Sequence, residues 1–334
     1  MTSSAAAERV HLTPEQAQNL SHRALRAIGY SVEEARIIAE HVVDAALCGY
    51  EYLGLTKILR LSSHYTGNRA PVKTVAASAV SAMVDGGGNT GMLVMPYAVK
   101  ELIGRAKASG IAVVGVTNSW MSGRSAYYCE KVAREGLICI HTASGSPLVA
   151  PPGGRVAAVG TNPLAFGFPA DPDPLVIDLG TSTIAATDLE QHHRLGLPLP
   201  DGTAIGADGE PTSDAARATD GALLPFAGHK GFALAMAVHA IGVICAPADA
   251  EGFVTGHVFI AFAPDMFLPA GDYQRRLATQ LDLIRKTPRR PEVSEIRIPG
   301  ERAYRTREVS LRDGIFVDRK IYNAVVTLAS SAPS

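Results

Sequence analysis

Tyr50, Tyr52 and Lys57 lie close together in the segment CGYEYLGLTKILRL, which spans residues 48–61. A phenol has an ordinary pKa of about 10, and a neighbouring ammonium group lowers it. Tyr52 beside Lys57 would therefore form a proton relay suited to carbonyl reduction. The alternative is that one tyrosine packs in the core while the other is exposed, with Glu51 as a solvated acid. The segment is one candidate for the edge of an active site.

A glycine-rich run, DGGGNTG, is the second candidate, because Gly86, Gly88 and Gly91 fit the pattern G-x-G-x-x-G. It follows a strand-like run and precedes a helical pattern, the context in which helix amides hold a pyrophosphate. The next predicted strand, IAVVGVTNS, ends without the acid that would bind a ribose hydroxyl. A tight turn followed by a helix entry explains the same residues, so the run supports both a dinucleotide site and a structural loop.

Three later motifs, VGTNPLAFGFP, IDLGTST and GHKGFALA, combine glycines with polar side chains. Gly160 permits close approach, and Thr161 and Asn162 offer hydrogen bonds at a turn. Asp178 could accept a hydrogen bond from a ribose or an amide, and Lys230 at the start of an apolar helix could meet an anion. Each motif also has an ordinary structural explanation as an Asn-Pro turn, a turn cap or an exposed loop lysine.

These motifs occur in order with DGEPTSD and IRIPGER, after an N-terminal LTPEQ helix and the run AKASGIAVVGVTNS. The set resembles the malate/L-lactate dehydrogenase family of the second type, which includes ureidoglycolate dehydrogenase, diketogulonate reductase, sulfolactate dehydrogenase and piperideine- and pyrroline-carboxylate reductases. The resemblance covers nearly the whole chain. It implies an α/β, non-Rossmann dinucleotide-binding fold with a mixed, largely antiparallel sheet, in which the glycine-rich run is structural. It also implies NAD or NADP as cofactor, a homodimer, and chemistry on 2-oxo acids or cyclic imine carboxylates.

The same resemblance implies which residues of this chain meet the cofactor. Arg302 is an anion contact on this interpretation and a surface charge on the alternative one. The expected cofactor-binding residues are Asn118, Ser119, Gly123, Gly160, Thr161, Asn162, Pro163, Asp178, Leu179, Thr181, Ser182, His229, Lys230, Gly231 and Arg302. No metal site is expected.

The chain departs from the family pattern at the turn after the second predicted helix. The family shows G-x-x-S-H-G followed by an arginine, and its histidine exchanges a proton with the substrate oxygen. Here Tyr52 replaces the serine, Leu53 replaces the histidine, and Lys57 keeps the cation. Leucine cannot transfer a proton, and general acid–base catalysis is typically worth about 10²–10⁴-fold in rate.

Three further departures accompany the first. Met121 occupies a position where the family usually has a second histidine, and Gly206 occupies the position of the aspartate that supports the catalytic histidine. In AATDL, a Gly-Lys pair that usually follows the Thr-Ser run is absent. Since a carboxylate orients the imidazole in such a relay, loss of both members indicates that the whole relay has been replaced.

Three functions fit these residues. The first is an NAD(P)-dependent oxidoreductase acting on a small 2-oxo acid, 2-hydroxy acid or cyclic imine carboxylate, with Tyr52 and Lys57 as its catalytic residues. In that reaction Lys57 would hold the carboxylate and Tyr52 would act as acid, although a cyclic imine can bind already protonated. The alternatives on the same fold are a non-redox lyase, isomerase or cyclase, and a catalytically silent binding protein.

The elements that must position these residues follow from local patterns. LTPEQAQNLSHRALRAIGY and SVEEARIIAEHVVDAALCGY predict helices, capped at Thr13 and Ser31. Alternating strand-like runs and helices follow to about residue 269, and the chain ends in helical patterns. We therefore predict a helical domain built from residues 1–75 and 270–334, and a mixed-sheet cofactor- and substrate-binding region from 76 to 269.

Composition excludes several classes of function. The 334 residues include 19% charged and 47% hydrophobic residues with a net charge of −1, so the chain is globular and lacks the basic field that nucleic acid requires. No apolar run reaches the length of a membrane span, and no signal peptide is evident. The four cysteines form no C-x-x-C pair, which favours buried thiols in a reducing compartment. We expect a cytoplasmic enzyme with a small carboxylate substrate.

Overall fold

The structure is a computed structural model that describes residues 8–246, 252 and 255–331. The start of the N-terminal segment on which the signal-peptide expectation rests, residues 1–7, lies outside the described residues. No helix in the described ranges has the length and apolar character needed to cross a membrane.

Short and long elements alternate along the chain. The strands are β1 (Arg9–Leu12), β2 (Lys73–Ala77), β3 (Ser81–Thr90), β4 (Ile111–Trp120), β5 (Ile138–Ser144), β6 (Leu164–Phe168), β7 (Leu175–Leu179), β8 (Ala204–Ile205), β9 (Pro211–Thr212), β10 (Ala222–Leu223), β11 (Gly256–Phe262) and β12 (Ile315–Asp318). The helices are α1 (Pro14–Ile28), α2 (Val32–Leu47), α3 (Thr56–His64), α4 (Gly91–Ser109), α5 (Ser125–Arg134), α6 (Ala186–Leu195), α7 (Ala215–Thr219), α8 (His229–Gly242), α9 (Asp272–Arg285), α10 (Glu301–Asp313) and α11 (Arg319–Ser330).

The chain divides into two compact units. Unit 1 comprises residues 1–68 and 302–334, and unit 2 comprises residues 69–301. The sequence-based boundaries lie at 75/76 and 269/270, so α9 falls in unit 2 although its amphipathic pattern was assigned to the helical region. The reason is local packing, because α9 follows β11 through a 3₁₀ turn and packs against that turn.

Unit 1 is built from both ends of the chain. Thr13 and Ser31 begin α1 and α2 with reciprocal capping boxes to Gln16 and Glu34, as the sequence predicts. Helix α1 packs against α2 and α11, and β1 pairs antiparallel with β12. The first and last segments of the chain thus share one small core.

Unit 2 is organised around a seven-stranded sheet with the order β2-β3-β4-β11-β5-β6-β7. Only β3 and β4 pair in parallel, joined by the crossover helix α4, and the other neighbours are antiparallel. The prediction of a mixed, largely antiparallel sheet is confirmed, as is the α/β class.

The glycine-rich run belongs to strand β3 and serves chain packing. β3 continues through it to Thr90 with a bulge between Asp85 and Asn89, and α4 starts only at Gly91. Gly87 has φ +60°, and a Cβ atom there would lie 2.2 Å from the carbonyl oxygen of Ala70. Glycine is therefore required for the close approach of two backbone segments, which supports the structural interpretation.

Two histidines occupy the core beneath α5. His141 of β5 stacks on Phe259 of β11 with ring centroids 4.0 Å apart, and His257 lies 5.9 Å away on the same face. Tyr128 of α5 meets His141 edge-on. Burial lowers the pKa of His141 well below its ordinary value, with a further contribution from His257, and burial lowers the pKa of His257 to about 4.

We expect the free energy of unfolding to fall as the pH falls from about 6.5 to about 4. In that window the unfolded chain binds protons at these histidines while the folded chain leaves them neutral, so each contributes a loss of about 1.4 kcal/mol per pH unit. His141→Phe should make the fall shallower, as measured by urea unfolding at several pH values. His193→Phe, at an exposed site, is the control. An unchanged slope in His141→Phe would contradict this account.

Candidate active site

Three of the polar motifs converge in unit 2 through backbone contacts. The Thr181 N–H and Oγ1 hydroxyl both donate to the carbonyl of Thr161, at 2.9 and 3.0 Å. The Phe226 N–H donates to the carbonyl of Thr181 at 3.1 Å. The segments 160–163 and 178–182 are therefore bonded to each other and to the turn that leads into α8.

Gly231 sets how closely α8 approaches this junction. A Cβ atom at Gly231 would lie 2.2 Å from the carbonyl oxygen of Phe226 and 3.0 Å from that of Thr181. His229 and Lys230 form the first residues of α8 and are exposed. The free amides of a helix N-terminus together with a lysine favour an anionic group at this point.

Asn162 is committed to the protein. Its side chain is fully buried, with Oδ1 accepting from the Gly145 N–H at 3.1 Å and Nδ2 donating to the carbonyl of Ala235 in α8 at 2.9 Å. A Cβ atom at Gly160 would lie 2.6 Å from Asn162 Oδ1, so the glycine makes room for this bond. The Pro163 carbonyl accepts from the Ala143 N–H of β5 at 3.1 Å. Asn162 therefore holds the site together through its side chain.

Asp178 and Leu179 end β7, where Leu179 pairs with Leu164. Asp178 is exposed as a residue, but its Oδ2 accepts from the Ala126 N–H in the first turn of α5 at 2.7 Å. Desolvation of the carboxylate raises its pKa, against the lowering effect of the Ala126 N–H and of Arg124. Sequence reasoning missed Arg124, a buried cation whose signal was its position directly after the retained Gly123.

The segment from Asn118 to Gly123 connects β4 to α5 and lies beside the glycine-rich run. Asn118 Nδ2 donates to Asp85 Oδ1 at 3.0 Å, and Ser119 Oγ donates to the Asn89 carbonyl at 3.0 Å. Gly123, with φ +81°, ends the segment. The bond from Asp178 to the start of α5 therefore links this segment to β7.

Backbone strain is concentrated in these same segments. Within the described residues, four non-glycine residues have positive φ: Asn118, Met121, Asn162 and Ala227. Each such residue costs on the order of 1–3 kcal/mol and persists where the surroundings impose it, commonly at functional sites. Asn118 and Met121 lie in the segment 118–123, and Asn162 lies in the segment 160–163. Ala227 immediately precedes the motif GHKG at residues 228–231. Ser182 adds a further bond, from Oγ to the Ile184 carbonyl at 2.6 Å.

The position where the resemblance leads us to expect a supporting aspartate is filled by an ion pair. A Cβ atom at Gly206 would lie 2.7 Å from Asp208 Oδ1 and 3.2 Å from Arg217 Nη2. Asp208 and Arg217 themselves are 2.8 Å apart. The space beside Gly206 is therefore taken by a carboxylate that is already paired.

Tyr52, Lys57 and Arg302 belong to unit 1. The 3₁₀ turn Glu51–Leu53 follows Gly49, and Tyr50 meets Tyr52 edge-on with centroids 6.3 Å apart. Arg302 is exposed and places its guanidinium 4.8 Å above the ring of Tyr50. Arg302 thus has a cation–π partner within unit 1, in Tyr50, which directly precedes the turn Glu51–Leu53.

Lys57 is the least expected feature of this turn. It is only 6% exposed, and burial, followed by the neighbouring Arg60, lowers its pKa to about 7. From the sequence, Lys57 is expected to be a cation that holds the substrate carboxylate. No local pattern indicates burial of a lysine in the first turn of a helix.

The sheet of unit 2 is mixed and largely antiparallel, unlike the parallel sheet of a Rossmann fold. A family model described as malate/L-lactate dehydrogenase matches residues 12–326, and the chain belongs to that family. The sequence-based assignment of family is therefore confirmed.

Relatives within the family carry several activities. L-sulfolactate dehydrogenase of Methanocaldococcus jannaschii is 32% identical over 326 residues, covering 93% of this chain and 94% of that protein. Delta(1)-pyrroline-2-carboxylate reductase of Ancylobacter novellus is 32% identical over 333 residues, covering 94% and 96%. A dehydrogenase structure from Sinorhizobium meliloti superimposes with a TM-score of 0.88 at 30% identity, covering 97% and 99% of the two chains.

Gly231→Ala should destabilise unit 2, because the added methyl group meets two backbone carbonyls that cannot move independently. Overpacking of this kind typically costs about 1–3 kcal/mol. Urea unfolding followed by circular dichroism measures the change. Gly104→Ala in α4 is the matched control: nothing lies within 4 Å of its Cβ position, so it should be neutral or stabilising by up to about 1 kcal/mol. Equal stability of the two variants would show that the close approach is unimportant.

Proposed function

We propose that this protein is an NAD(P)-dependent oxidoreductase that transfers a hydride between a nicotinamide cofactor and a small carboxylate substrate. The substrate is a 2-oxo acid with its 2-hydroxy acid, or a cyclic imine carboxylate. The observation that carries the proposal is the convergence of segments 160–163 and 178–182 with the start of α8. Relatives named for activity on sulfolactate, malate, lactate and pyrroline carboxylate support the substrate class.

The residues at this junction fit a dinucleotide. Gly231 leaves no Cβ between α8 and the Thr181 turn, and exposed His229 and Lys230 stand at the helix start, where phosphate oxygens would accept their hydrogen bonds. Asn162 and Asp178 hold the segments in place through protein bonds. The proposed cofactor contacts are Asn118, Ser119, Gly123, Gly160, Thr161, Pro163, Leu179, Thr181, Ser182, His229, Lys230, Gly231 and Arg302, with Asn162 and Asp178 as supporting residues.

Tyr52 and Lys57 are the proposed groups on the substrate side. They stand where the resemblance of the sequence implies an acid/base histidine and a cation, and this chain carries Leu53 and Lys57. Between them they offer a phenol and an amine to a carbonyl oxygen and a carboxylate. Cytoplasmic location fits the four buried, unbridged cysteines.

A non-redox function on the same fold is the second candidate. Leu53 removes the proton-transferring imidazole, and the Asp208–Arg217 pair takes the space beside Gly206. Such a protein would be a lyase, isomerase or cyclase, or a silent binding protein. The two candidates differ in whether the chain binds and oxidises a reduced nicotinamide cofactor.

Fluorescence titration with NADH and NADPH tests the proposal, followed by turnover with a panel of 2-oxo acids and cyclic imine carboxylates. We expect saturable binding of one cofactor and turnover with one substrate class. Lys230→Gln should weaken binding about tenfold or more, since a charge-assisted bond to phosphate is worth roughly 1.5–3 kcal/mol. Lys286→Gln, on the exposed end of α9, should bind as the wild type does. Binding of neither cofactor would refute the proposal.

We also propose a homodimer that buries one face of α8. This helix is strongly apolar, yet Leu234 and Met236 are exposed, and so are Val243 and Ile244 in the turn that follows, Ile244 at 68%. Contiguous exposed apolar surface marks interaction sites, and an isologous contact would use the same face twice. The same helix begins at His229 and Lys230, so assembly and cofactor binding would share one element.

Light scattering after size-exclusion chromatography should give twice the chain mass of 35.0 kDa. The double change Met236→Glu and Ile244→Glu should give the monomer mass, because burying carboxylates in an apolar contact is costly. Leu283→Glu, at a similarly exposed apolar residue of α9, should remain dimeric. A wild-type monomer, or a dimeric double variant, would exclude this interface.

A further inference from the structure

Unit 1 contains a cavity of its own, which we call the unit 1 cavity. Its volume is about 410 Å³, within the range of about 300–1,000 Å³ that is usual for small-molecule sites. It is lined by the end of α2, the start of α3, the last turns of α10 and β12. All of its lining residues fall between 9 and 56 or between 309 and 317. A ligand could therefore be bound by unit 1 alone.

The walls of the unit 1 cavity are mainly apolar. Leu55, Ile315 and Val317 line it and are buried in the protein. Val309 and Phe316 also line it, but they are 48% and 58% exposed. A ligand that covers exposed apolar side chains removes their surface from water, which favours binding. The walls therefore favour a ligand with an apolar body.

The charged side chains that line the unit 1 cavity are already paired. Arg9 Nη2 lies 2.7 Å from Glu51 Oε2, and Glu51 Oε1 accepts from the Asp318 N–H at 2.9 Å. Both carboxylate oxygens of Asp313 accept from Arg312, each at 2.7 Å. A charged ligand would have to compete with these pairs while losing its own hydration. The lining therefore favours a ligand without net charge.

Ser310 supplies a polar anchor for such a ligand. It lines the cavity from the last turn of α10 and is only 8% exposed. Across residues 8–246, 252 and 255–331, its hydroxyl group forms no hydrogen bond. A nearly buried hydroxyl group without a partner costs free energy. A hydroxyl or carbonyl group of the ligand would supply the missing bond.

We propose that the unit 1 cavity binds a small neutral molecule with an apolar body and one hydroxyl or carbonyl group. The apolar body covers Val309 and Phe316, and the polar group bonds to Ser310 Oγ. The size of the cavity, its apolar walls, its paired charges and the hydroxyl group of Ser310 all point to this class of ligand.

The site is distinct from the residues of the proposed function. The segments 160–163 and 178–182 and the start of α8 belong to unit 2. Tyr52 and Lys57 are not among the described residues that line the unit 1 cavity. The inference therefore goes beyond the proposed function and does not rest on it.

Methyl NMR of the purified full chain, with labelled leucine, isoleucine and valine, tests binding without cofactor or turnover. Benzyl alcohol is the neutral probe, and benzoate and benzylammonium are charged probes of similar size. Benzyl alcohol should shift the methyl signals of Leu55, Val309 and Ile315 saturably at millimolar concentration or below. Each charged probe should bind about tenfold more weakly or worse, because it must be desolvated beside paired charges. Equal affinities for the three probes, or no saturable shift at these methyl groups, would overturn the inference.

Two variants of Ser310 test the position of the ligand. Ser310→Leu puts a larger apolar side chain into the cavity and should weaken the binding of benzyl alcohol about tenfold or more. Ser310→Ala removes only the hydroxyl group and should weaken binding about three- to tenfold, the usual worth of one hydrogen bond. Ser62→Leu is the control: half-buried Ser62 of α3 lies outside the described lining, so this variant should bind as the wild type does.

Circular dichroism shows whether each variant is folded. If Ser310→Leu does not fold, the smaller change Ser310→Ala decides the contact. Wild-type affinity in folded Ser310→Leu or in Ser310→Ala would contradict the proposed position, and so would a loss of binding in Ser62→Leu equal to that in Ser310→Leu. None of these measurements uses NADH or NADPH, so failure of the proposed function and failure of this inference are distinguishable.

Discussion

The close contact of Gly231 with the carbonyls of Thr181 and Phe226 is the constraint on which the arrangement of unit 2 depends. This contact places the start of α8 against the turn that follows β7. The hydrogen bonds from Thr181 to the Thr161 carbonyl bring the loop before β6 to the same place. Asn162 then joins that loop to Ala235 within α8. These contacts are backbone to backbone or fully buried. They therefore fix the position of the backbone that carries exposed side chains such as Lys230.

In unit 1 the governing constraint is the distribution of charge around one turn. Glu51 forms an ion pair with Arg9 and accepts a hydrogen bond from the Asp318 N–H. The Arg302 guanidinium lies over the ring of Tyr50. Burial, followed by the neighbouring Arg60, lowers the pKa of Lys57 to about 7. The free-energy cost of burying a charged amine appears directly as a lower pKa of that amine.

Much of the fold was predictable because its signals are local. The capping boxes at Thr13 and Ser31, the glycine that ends α1 and the strand-like runs of the middle region each depend on adjacent residues. The membership of α9 in unit 2 was not predictable, since an amphipathic pattern shows that a helix has a buried face without showing what covers it. The glycine-rich run was ambiguous for the same reason: the atom that makes Gly87 necessary belongs to Ala70 on another segment.

The sequence by itself determined the family, the mixed α/β class and the identities of the motif residues, because order and spacing of short motifs survive without knowledge of packing. It also determined that leucine and glycine stand where a proton relay is expected. Only the tertiary structure decided that Asn162 bonds to Ala235, that the Asp208–Arg217 pair fills the space at Gly206, and that Lys57 is desolvated. The physical reason is that hydrogen-bond partners and burial are set by residues distant in the chain, which a local pattern does not specify.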